Sequence, residues 1–321
     1  MKVLVTGGCG YIGSHVARAF KMNGDTVFII DRVSRRHTLN DIDDFFIGDF
    51  ASIEGLAAIA QFVPDVIVHC AGTSLVGPSM TDPGEYYANN IAKTIMMLNF
   101  IKDQPTTPVV LFSSSASVYG TPETVPVNED ATIQPISPYG STKAMTEQML
   151  SDYYNAYGMS SMCFRYFNAA GAMPITHDLG QEPEATHIIA RVLEASLVGK
   201  AFTVNGEDYD TPDGTCVRDY IHVWDIAIAH LNGVRYMIED NHKGAFVFNL
   251  GTNIGTSNKQ ITDYVFGKYG LPFVNFGEAR PGDPANLVAD ATLANETLGW
   301  TPIFSDLETI IDSAYQWYCR S

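Results

Sequence analysis

The most constraining feature of this sequence lies in its first thirteen residues. Lys2-Val3-Leu4-Val5-Thr6 reads as a buried strand, Gly7-Gly8-Cys9-Gly10-Tyr11-Ile12-Gly13 as a tight turn, and Ser14-His15-Val16-Ala17 as the opening of a helix. A strand that runs through a glycine turn into a helix makes an anion site from backbone alone. The free N–H groups and the helix dipole point at whatever lies above the turn. Gly7 permits the turn, Gly10 lets a pyrophosphate approach the backbone, and Gly13 lets the helix pack close to the strand. The spacing is Gly-x-x-Gly-x-x-Gly, and its place between a strand and a helix separates it from an ordinary structural turn.

The same alternation continues through the first half. Apolar strands are expected at 26–30, 45–47, 65–69, 108–112 and 161–166, with helical patterns at 52–62, about 86–102 and about 139–157. Continuous apolar strands separated by helices imply a parallel sheet covered on both faces. The expected fold is α/β, a doubly wound parallel Rossmann-type sheet with a smaller mixed α/β substrate domain. Residues 1–168 would form the dinucleotide-binding domain and 169–321 the substrate domain, with part of 220–250 returning to the first. In the second half helical patterns recur at 187–197, 223–238 and 257–269, and short strands at 202–204 and 246–250. Residues 169–184, rich in Gly and Pro, read as a loop.

Composition removes several classes of function. The net charge of −17 argues against a nucleic-acid partner, which needs a basic face. Any anionic ligand must therefore be held by local basic groups and helix ends. No apolar run approaches the roughly 18 residues that span a membrane, so no membrane partner is expected. No signal peptide is expected, because Met1-Lys2 leads directly into the first strand. Cys9, Cys70, Cys163, Cys216 and Cys319 are odd in number and widely spaced, which fits neither a disulfide framework nor a zinc site. A soluble protein of a reducing, cytoplasmic compartment is expected. His15, His69 and His222 have no ligand partner at metal spacing, so no metal is expected.

Three further features carry chemistry. Asp31 stands 18 residues after Gly13, at the end of the second strand, where a carboxylate can accept both hydroxyls of an adenine ribose. Arg32, Arg35 and Arg36 follow and could hold a 2′-phosphate, but Asp31 would repel one, so NAD is favoured over its phosphorylated form. Asp49 follows the third strand and is either an adenine-edge contact or a surface carboxylate. Tyr139 and Lys143 lie one helical turn apart on one face, so the ammonium can lower the phenol's pKa and make it a base near neutral pH. About one such Tyr–Lys/Arg pair is expected by chance in this composition. What raises the pair above chance is Ser113-Ser114-Ser115 at the carboxyl edge of the sheet, where a serine can bind the same substrate oxygen.

With these residues in place the chain resembles the extended short-chain dehydrogenase/reductase family, and within it the UDP-sugar 4-epimerases acting on UDP-glucose and UDP-galactose. The resemblance runs from Met1 to about Pro302 and rests on seven motifs. They are Thr-Gly-Gly-Cys-Gly-Tyr-Ile-Gly-Ser-His at 6–15, Ser-Ser-Ala-Ser-Val-Tyr-Gly at 114–120, Tyr-Gly-Ser-Thr-Lys at 139–143, Arg-Tyr-Phe-Asn-Ala-Ala-Gly-Ala at 165–172, the run 208–223, Asn-Leu-Gly-Thr at 249–252 and Arg-Pro-Gly-Asp-Pro at 280–284. The run 208–223, Asp-Tyr-Asp-Thr-Pro-Asp-Gly-Thr-Cys-Val-Arg-Asp-Tyr-Ile-His-Val, is the most specific of them.

The resemblance implies transient hydride transfer from C4 of a UDP-sugar to bound NAD and its return to the opposite face of a 4-keto sugar. Tyr139 would be the acid and base, Ser115 its hydrogen-bonding partner, and Lys143 the holder of the nicotinamide ribose. Gly7, Gly10, Tyr11, Ile12, Gly13, Asp31, Asp49, Phe50, Ala71, Asn89 and Tyr166 would line the cofactor. Asn168, His187, Ile188, Asn205, Arg218, Arg280, Asp283 and Leu287 would hold the nucleotide sugar, the two arginines on the diphosphate. A homodimer built on the helices at 86–102 and 139–157 is implied as well.

Two departures stand out. Ser74 replaces the lysine that many relatives carry near the cofactor phosphates, and Asn205 replaces an aromatic residue that packs on the uracil. A nucleotide-sugar dehydratase or decarboxylase of the same fold is a rival reading. A dehydratase needs extra carboxylates after the catalytic serine, and Ala116-Ser117-Val118 has none. A 4-epimerase for UDP-N-acetylglucosamine is another. A non-catalytic NAD-binding regulator usually lacks the tyrosine or the lysine, and here both are present.

Overall fold

The structure is a computed structural model that describes residues 1–182, 186–270, 273–279 and 284–320. Six strands fall in the first half: β1 (Lys2–Thr6), β2 (Thr26–Asp31), β3 (Asp44–Ile47), β4 (Val66–His69), β5 (Val109–Ser115) and β6 (Ser161–Tyr166). The second half adds β7 (Asn168–Ala170), β8 (Phe202–Asn205), β9 (Val217–Arg218), β10 (Tyr220–His222), β11 (Ala245–Leu250), β12 (Thr256–Ser257), β13 (Val274–Gly277) and β14 (Asn286–Leu287).

The large sheet has seven strands in the order β11-β6-β5-β4-β1-β2-β3, all parallel. The order reverses beside β1, which is where ligands bind in doubly wound sheets. The fold class expected from the sequence is therefore the one observed. Residues Val3, Val5, Val27, Val66, Val68 and Leu111 form one apolar layer of this sheet, and Leu4, Phe28, Ile30, Ile67, Val110 and Phe112 form the layer on the other face. Burial on both faces is why these strands read as unbroken apolar runs instead of alternating ones. β11 pairs with β6 at the edge of the sheet, and the helix Val223–Val234 packs on the helix Tyr11–Met22.

Three boundaries differ from expectation. The first helix begins at Tyr11 and not at Ser14, because Gly10 serves as its cap through backbone alone. β5 runs on through Ser115, carrying the serines inside the strand. The helical stretch near 86–102 is interrupted by a π-helical segment, Tyr87–Ala92, between Pro83–Tyr86 and Lys93–Lys102.

The rest of the second half is a patchwork: β10 on β7, β13 on β8, and the three-strand set β12-β9-β14. Two further helices, Thr292–Leu298 and Leu307–Tyr318, follow near the end of the described residues. The second begins where the Asp306 carboxylate accepts the Thr309 N–H at 2.8 Å, a side-chain cap. Among the described residues no helix is long and apolar enough to cross a membrane.

Candidate active site

The turn after β1 shows why two of its glycines cannot carry a side chain. Gly7 has φ +69°, and a Cβ on Gly13 would lie 2.2 Å from the Gly7 carbonyl oxygen. The turn folds back on the first turn of the helix and leaves the helix N-terminus bare: Gly10 offers no side-chain cap and no acidic residue stands in the first turn. Beside the turn, Asp31 at the end of β2 accepts the Cys9 N–H at 2.9 Å and the Val33 N–H at 3.0 Å. Arg35 donates to the Cys9 carbonyl at 2.7 Å and lies 3.6 Å from Glu182, so it is engaged with the turn and the 182 segment.

These elements form one wall of a cleft of about 720 Å³, within the range of small-molecule sites. The cleft is lined by Gly7, Gly10, Tyr11, Ile12, Gly13, Asp31, Asp49, Phe50, Ala71, Asn89, Ser115, Tyr139, Lys143, Tyr166, Asn168, His187 and Leu287. Ile188 lines a cavity of about 30 Å³ that shares Asn168 and His187 with the cleft. Asn205 and Arg218 are not among the described residues of the cleft wall. Arg218 is a buried residue of β9 whose Nη1 donates to the Val217 carbonyl at 2.8 Å, and it is register partner of Leu287 in β14. Arg280 and Asp283 lie outside the described residues.

The floor of the cleft holds the Tyr139–Lys143 pair on the helix Pro138–Tyr157, capped by Ser137. Lys143 Nζ donates to the Ser113 carbonyl at 2.6 Å and sits 5.6 Å from the centre of the Tyr139 ring. Burial lowers the Lys143 pKa to about 8. Burial also pushes the Tyr139 phenol up to about 12, against the opposing effect of a hydrogen bond with Ser115. This corrects the expectation that Lys143 brings the phenol near neutrality: desolvation dominates both groups. Ser115 is itself oriented, its Oγ accepting the Ser117 N–H at 3.2 Å.

Several residues that the sequence reading passes over hold this floor in place. Glu147, one turn beyond Lys143, accepts from Ser114 Oγ at 2.5 Å and pairs with Arg165 at 2.7 Å, both charges buried. Arg165 continues to the Tyr119 hydroxyl at 2.8 Å, and Tyr119 donates to Asn249 at 2.7 Å. The spacing 139, 143, 147 on one helix face was the available signal. Asn90 accepts the Thr73 N–H at 2.8 Å and donates to the Thr73 carbonyl and to Thr142 Oγ1, each at 3.0 Å, tying the loop after β4 to the Tyr139 helix.

His69 and His222 are structural. His69 bridges Thr6 Oγ1 at 2.7 Å and Thr94 Oγ1 at 2.9 Å, and burial lowers its pKa to about 3. His222 caps the helix that follows it by accepting the Trp224 N–H at 3.0 Å. Among the described residues no group of three or more His, Cys, Asp or Glu could hold a metal ion.

The fold and site define a nucleotide-cofactor enzyme with a Ser–Tyr–Lys floor. The model of the NAD dependent epimerase/dehydratase family matches residues 3–251, and the chain belongs to that family. It is 41% identical to the UDP-glucose 4-epimerase of Azospirillum brasilense, covering 98% of this chain and 91% of that one. Its structure is similar to that of the UDP-glucose 4-epimerase from Brucella ovis in complex with NAD, with TM-score 0.91, 39% identity and coverage of 98% and 97%. It also resembles the UDP-Glc/GlcNAc 4-epimerase of Campylobacter jejuni, with TM-score 0.86, 35% identity and coverage of 100% and 99%.

Proposed function

We propose that this chain is an NAD-dependent UDP-glucose 4-epimerase, which interconverts UDP-glucose and UDP-galactose. The observation that carries the reading is a single cleft that holds the glycine turn on one side, Asn168, His187 and Leu287 on the other, and Ser115, Tyr139 and Lys143 between them. The residues fit the cofactor. Gly13 leaves no room for a Cβ against the turn, the helix end is bare, and the Asp31 carboxylate stands beside the Cys9 amide. NAD, when bound, supplies a reversible hydride acceptor and a cationic nicotinamide ring.

The chain's own residues do the rest. Tyr139 takes the proton from the sugar 4-hydroxyl oxygen and returns it once the sugar has presented its other face, so C4 inverts with no net oxidation. Ser115 hydrogen-bonds the same oxygen. Lys143 is anchored on the Ser113 carbonyl and would hold the cofactor ribose with its remaining donors. A phenol raised to about 12 by burial needs a neighbouring positive charge to ionise, so proton removal is expected only in the loaded cleft. Asn168, His187 and Ile188 are assigned to the nucleotide and Arg218, paired in register with Leu287 of the sugar wall, to the diphosphate. Asn205, Arg280 and Asp283 are assigned to the same ligand on their sequence motifs alone.

We read residues 1–168, with the returning segment that contains β11, as the cofactor domain, and the remainder as the substrate domain. The assembly we propose is a homodimer. Tyr87, Met96, Met145 and Tyr157 are exposed on the helical stretches near 86–102 and 138–157, an apolar face suited to an isologous contact. Sedimentation showing only monomer at micromolar concentration would exclude it. Five free thiols, three of them buried, suit a cytoplasmic enzyme.

The reaction is tested by adding UDP-galactose to the purified protein and following UDP-glucose. Product is expected without stoichiometric consumption of added NAD. Release of one NADH per turnover would replace the epimerase reading with a dehydrogenase.

A further inference from the structure

We propose that Lys93 is a cofactor-positioning residue that clamps the adenosine end of the cleft by bracketing Asp49 and Asn89. The proposal rests on the NAD-dependent reading above. Lys93 opens the helix that follows the π-helical segment, and its Nζ lies 2.6 Å from Asp49 Oδ2 and 2.8 Å from Asn89 Oδ1. All three residues line the cleft. Asp49 belongs to the loop after β3, and Asn89 to the π-helical segment, so one ammonium ties the edge of the sheet to the helix that faces it.

Each bracketed side chain is already held at its other end. Asp49 Oδ1 accepts the Ala51 N–H at 3.0 Å, and Asn89 Nδ2 donates to Thr73 Oγ1 at 3.0 Å. Lys93 therefore fixes the last rotation of both. An exposed ion pair between long side chains contributes little, because holding it costs rotamer entropy. This pair differs: the ammonium is only 27% exposed and has two acceptors on two elements. The Lys93 hydrogen bond also helps hold the Asp49 carboxylate below its ordinary range, against the effect of burial, and so keeps it an acceptor.

The surroundings give the lysine a reason to be there. The cleft wall between residues 70 and 93 consists of Cys70, Ala71, Gly72, Ser74, Leu75, Val76, Asn89 and Lys93, and Lys93 is its one cation among the described residues. With serine at 74, this wall has no other positive group to set against Asp49, although Arg32, on the β2 side of the cleft, also acts on that carboxylate. Lys93 stands four residues after Asn89, so both project to one side of the same turn. The π-helical segment lets Asn90 turn inward to Thr73 and Thr142 while Asn89 stays on the cleft.

The test is the dissociation constant for NAD of the full-length protein, read by titration, for wild type, Lys93→Met, Lys93→Arg, Asp49→Asn and the double variant Lys93→Met/Asp49→Asn. Lys93→Met is expected to weaken NAD binding about tenfold, as loss of a charge-assisted hydrogen bond implies. Lys93→Arg is expected to restore it to within about threefold of wild type, a rescue that a mere packing role would not require. In the Asp49→Asn background the lysine change is expected to cost clearly less than in the wild type, the remainder being carried through Asn89. NAD affinity unchanged in Lys93→Met overturns the proposal. So does a full additive loss in the double variant, since the lysine would then touch the cofactor itself. Wild-type protein that binds no NAD would instead overturn the functional reading on which this one rests.

Discussion

On one side of the cleft, the glycine turn after β1 offers backbone: a positive φ at Gly7, a bare helix end at Gly10 and a Gly13 with no space for a Cβ. On the other side, Asn168 comes from a three-residue strand, His187 from the residue before a helix, and Leu287 from a two-residue strand. The first wall belongs to the buried centre of a seven-stranded parallel sheet, and the second to short pairings at its margin. A wall of backbone resists any added carbon but does not depend on side-chain identity. A wall of side chains on short elements can change what it accepts through one residue, with the sheet undisturbed. The cofactor side is thus built to be constant and the substrate side to be adjustable.

The seam between them is Tyr139, and there the largest effect is expected. Tyr139→Phe should lower turnover by about 10²–10⁴, the usual contribution of a positioned general acid and base. Binding of UDP, measured by calorimetry, should stay within about twofold, because the phenol acts at the sugar oxygen. Wild-type turnover in this variant would remove Tyr139 from the chemistry.

Gly13→Ala tests the backbone wall. The new Cβ would meet the Gly7 carbonyl oxygen at 2.2 Å, and both groups are backbone, so the turn itself must shift. NAD affinity should fall by at least about tenfold while UDP affinity changes little. Equal losses of both would mean that the two walls are one mechanical unit.

Lys143→Met reads the dielectric of the floor. The folded-state pKa of about 8 lies below the ordinary 10.5, so the folded protein holds this proton less tightly than the unfolded chain. Burying the charge therefore costs stability below pH 8, and that cost fades as pH rises from about 8 to 10.5. The interval corresponds to at most about 3 kcal/mol. In urea unfolding, the stability of Lys143→Met relative to wild type should be most favourable at pH 7 and decline by up to that amount by pH 10.5. A difference independent of pH would mean that the ammonium is solvated.

The two walls were also unequally readable in the sequence. The turn at 7–13, Asp31 and the Tyr139–Lys143 pair can be found because each is tied to a long apolar strand or a helical repeat, and strong periods locate their neighbours. The strands at 217–218, 220–222 and 286–287 are too short to have a period, so the patchwork that carries Arg218 and Leu287 is invisible except through family motifs. The helix Thr292–Leu298 packs on β11, and Leu307–Tyr318 does carry an apolar stripe of Ile310, Ile311, Ala314, Trp317 and Tyr318, but its anchors are distant in sequence. Trp317 Nε1, for example, donates to the Gln181 carbonyl at 2.8 Å. The polar network under the floor escapes as well. Glu147 reads as one more solvated helix charge until β5 and β6 bring Ser114 and Arg165 against it. The pKa of Tyr139 was misjudged because sequence spacing reports the neighbouring charge and says nothing of burial.

The smallest effect on the main reaction, and the sharpest test of an adjustable wall, is expected at Leu287. It is half-buried in β14, lines the cleft, and pairs in register with Arg218. We propose that this position borders the sugar near C2, where a bulky aromatic would confine the chain to glucose and galactose. A small residue would admit the N-acetylated sugars as well. Leucine lies between them in volume, and close-packed walls yield little to an acetamido group. UDP-glucose and UDP-galactose are therefore expected as the main pair, with weaker turnover of UDP-N-acetylglucosamine. Leu287→Tyr should abolish the N-acetyl activity and leave the main reaction within about threefold, since one side-chain group in an apolar pocket discriminates by roughly 10–200-fold. Both β14 residues are paired with β9, so the exchange should leave the cofactor wall and NAD affinity unaffected. N-acetyl activity that survives undiminished would show that another residue sets the size of this wall, and the assignment of the sugar to the β9–β14 pairing would fall with it.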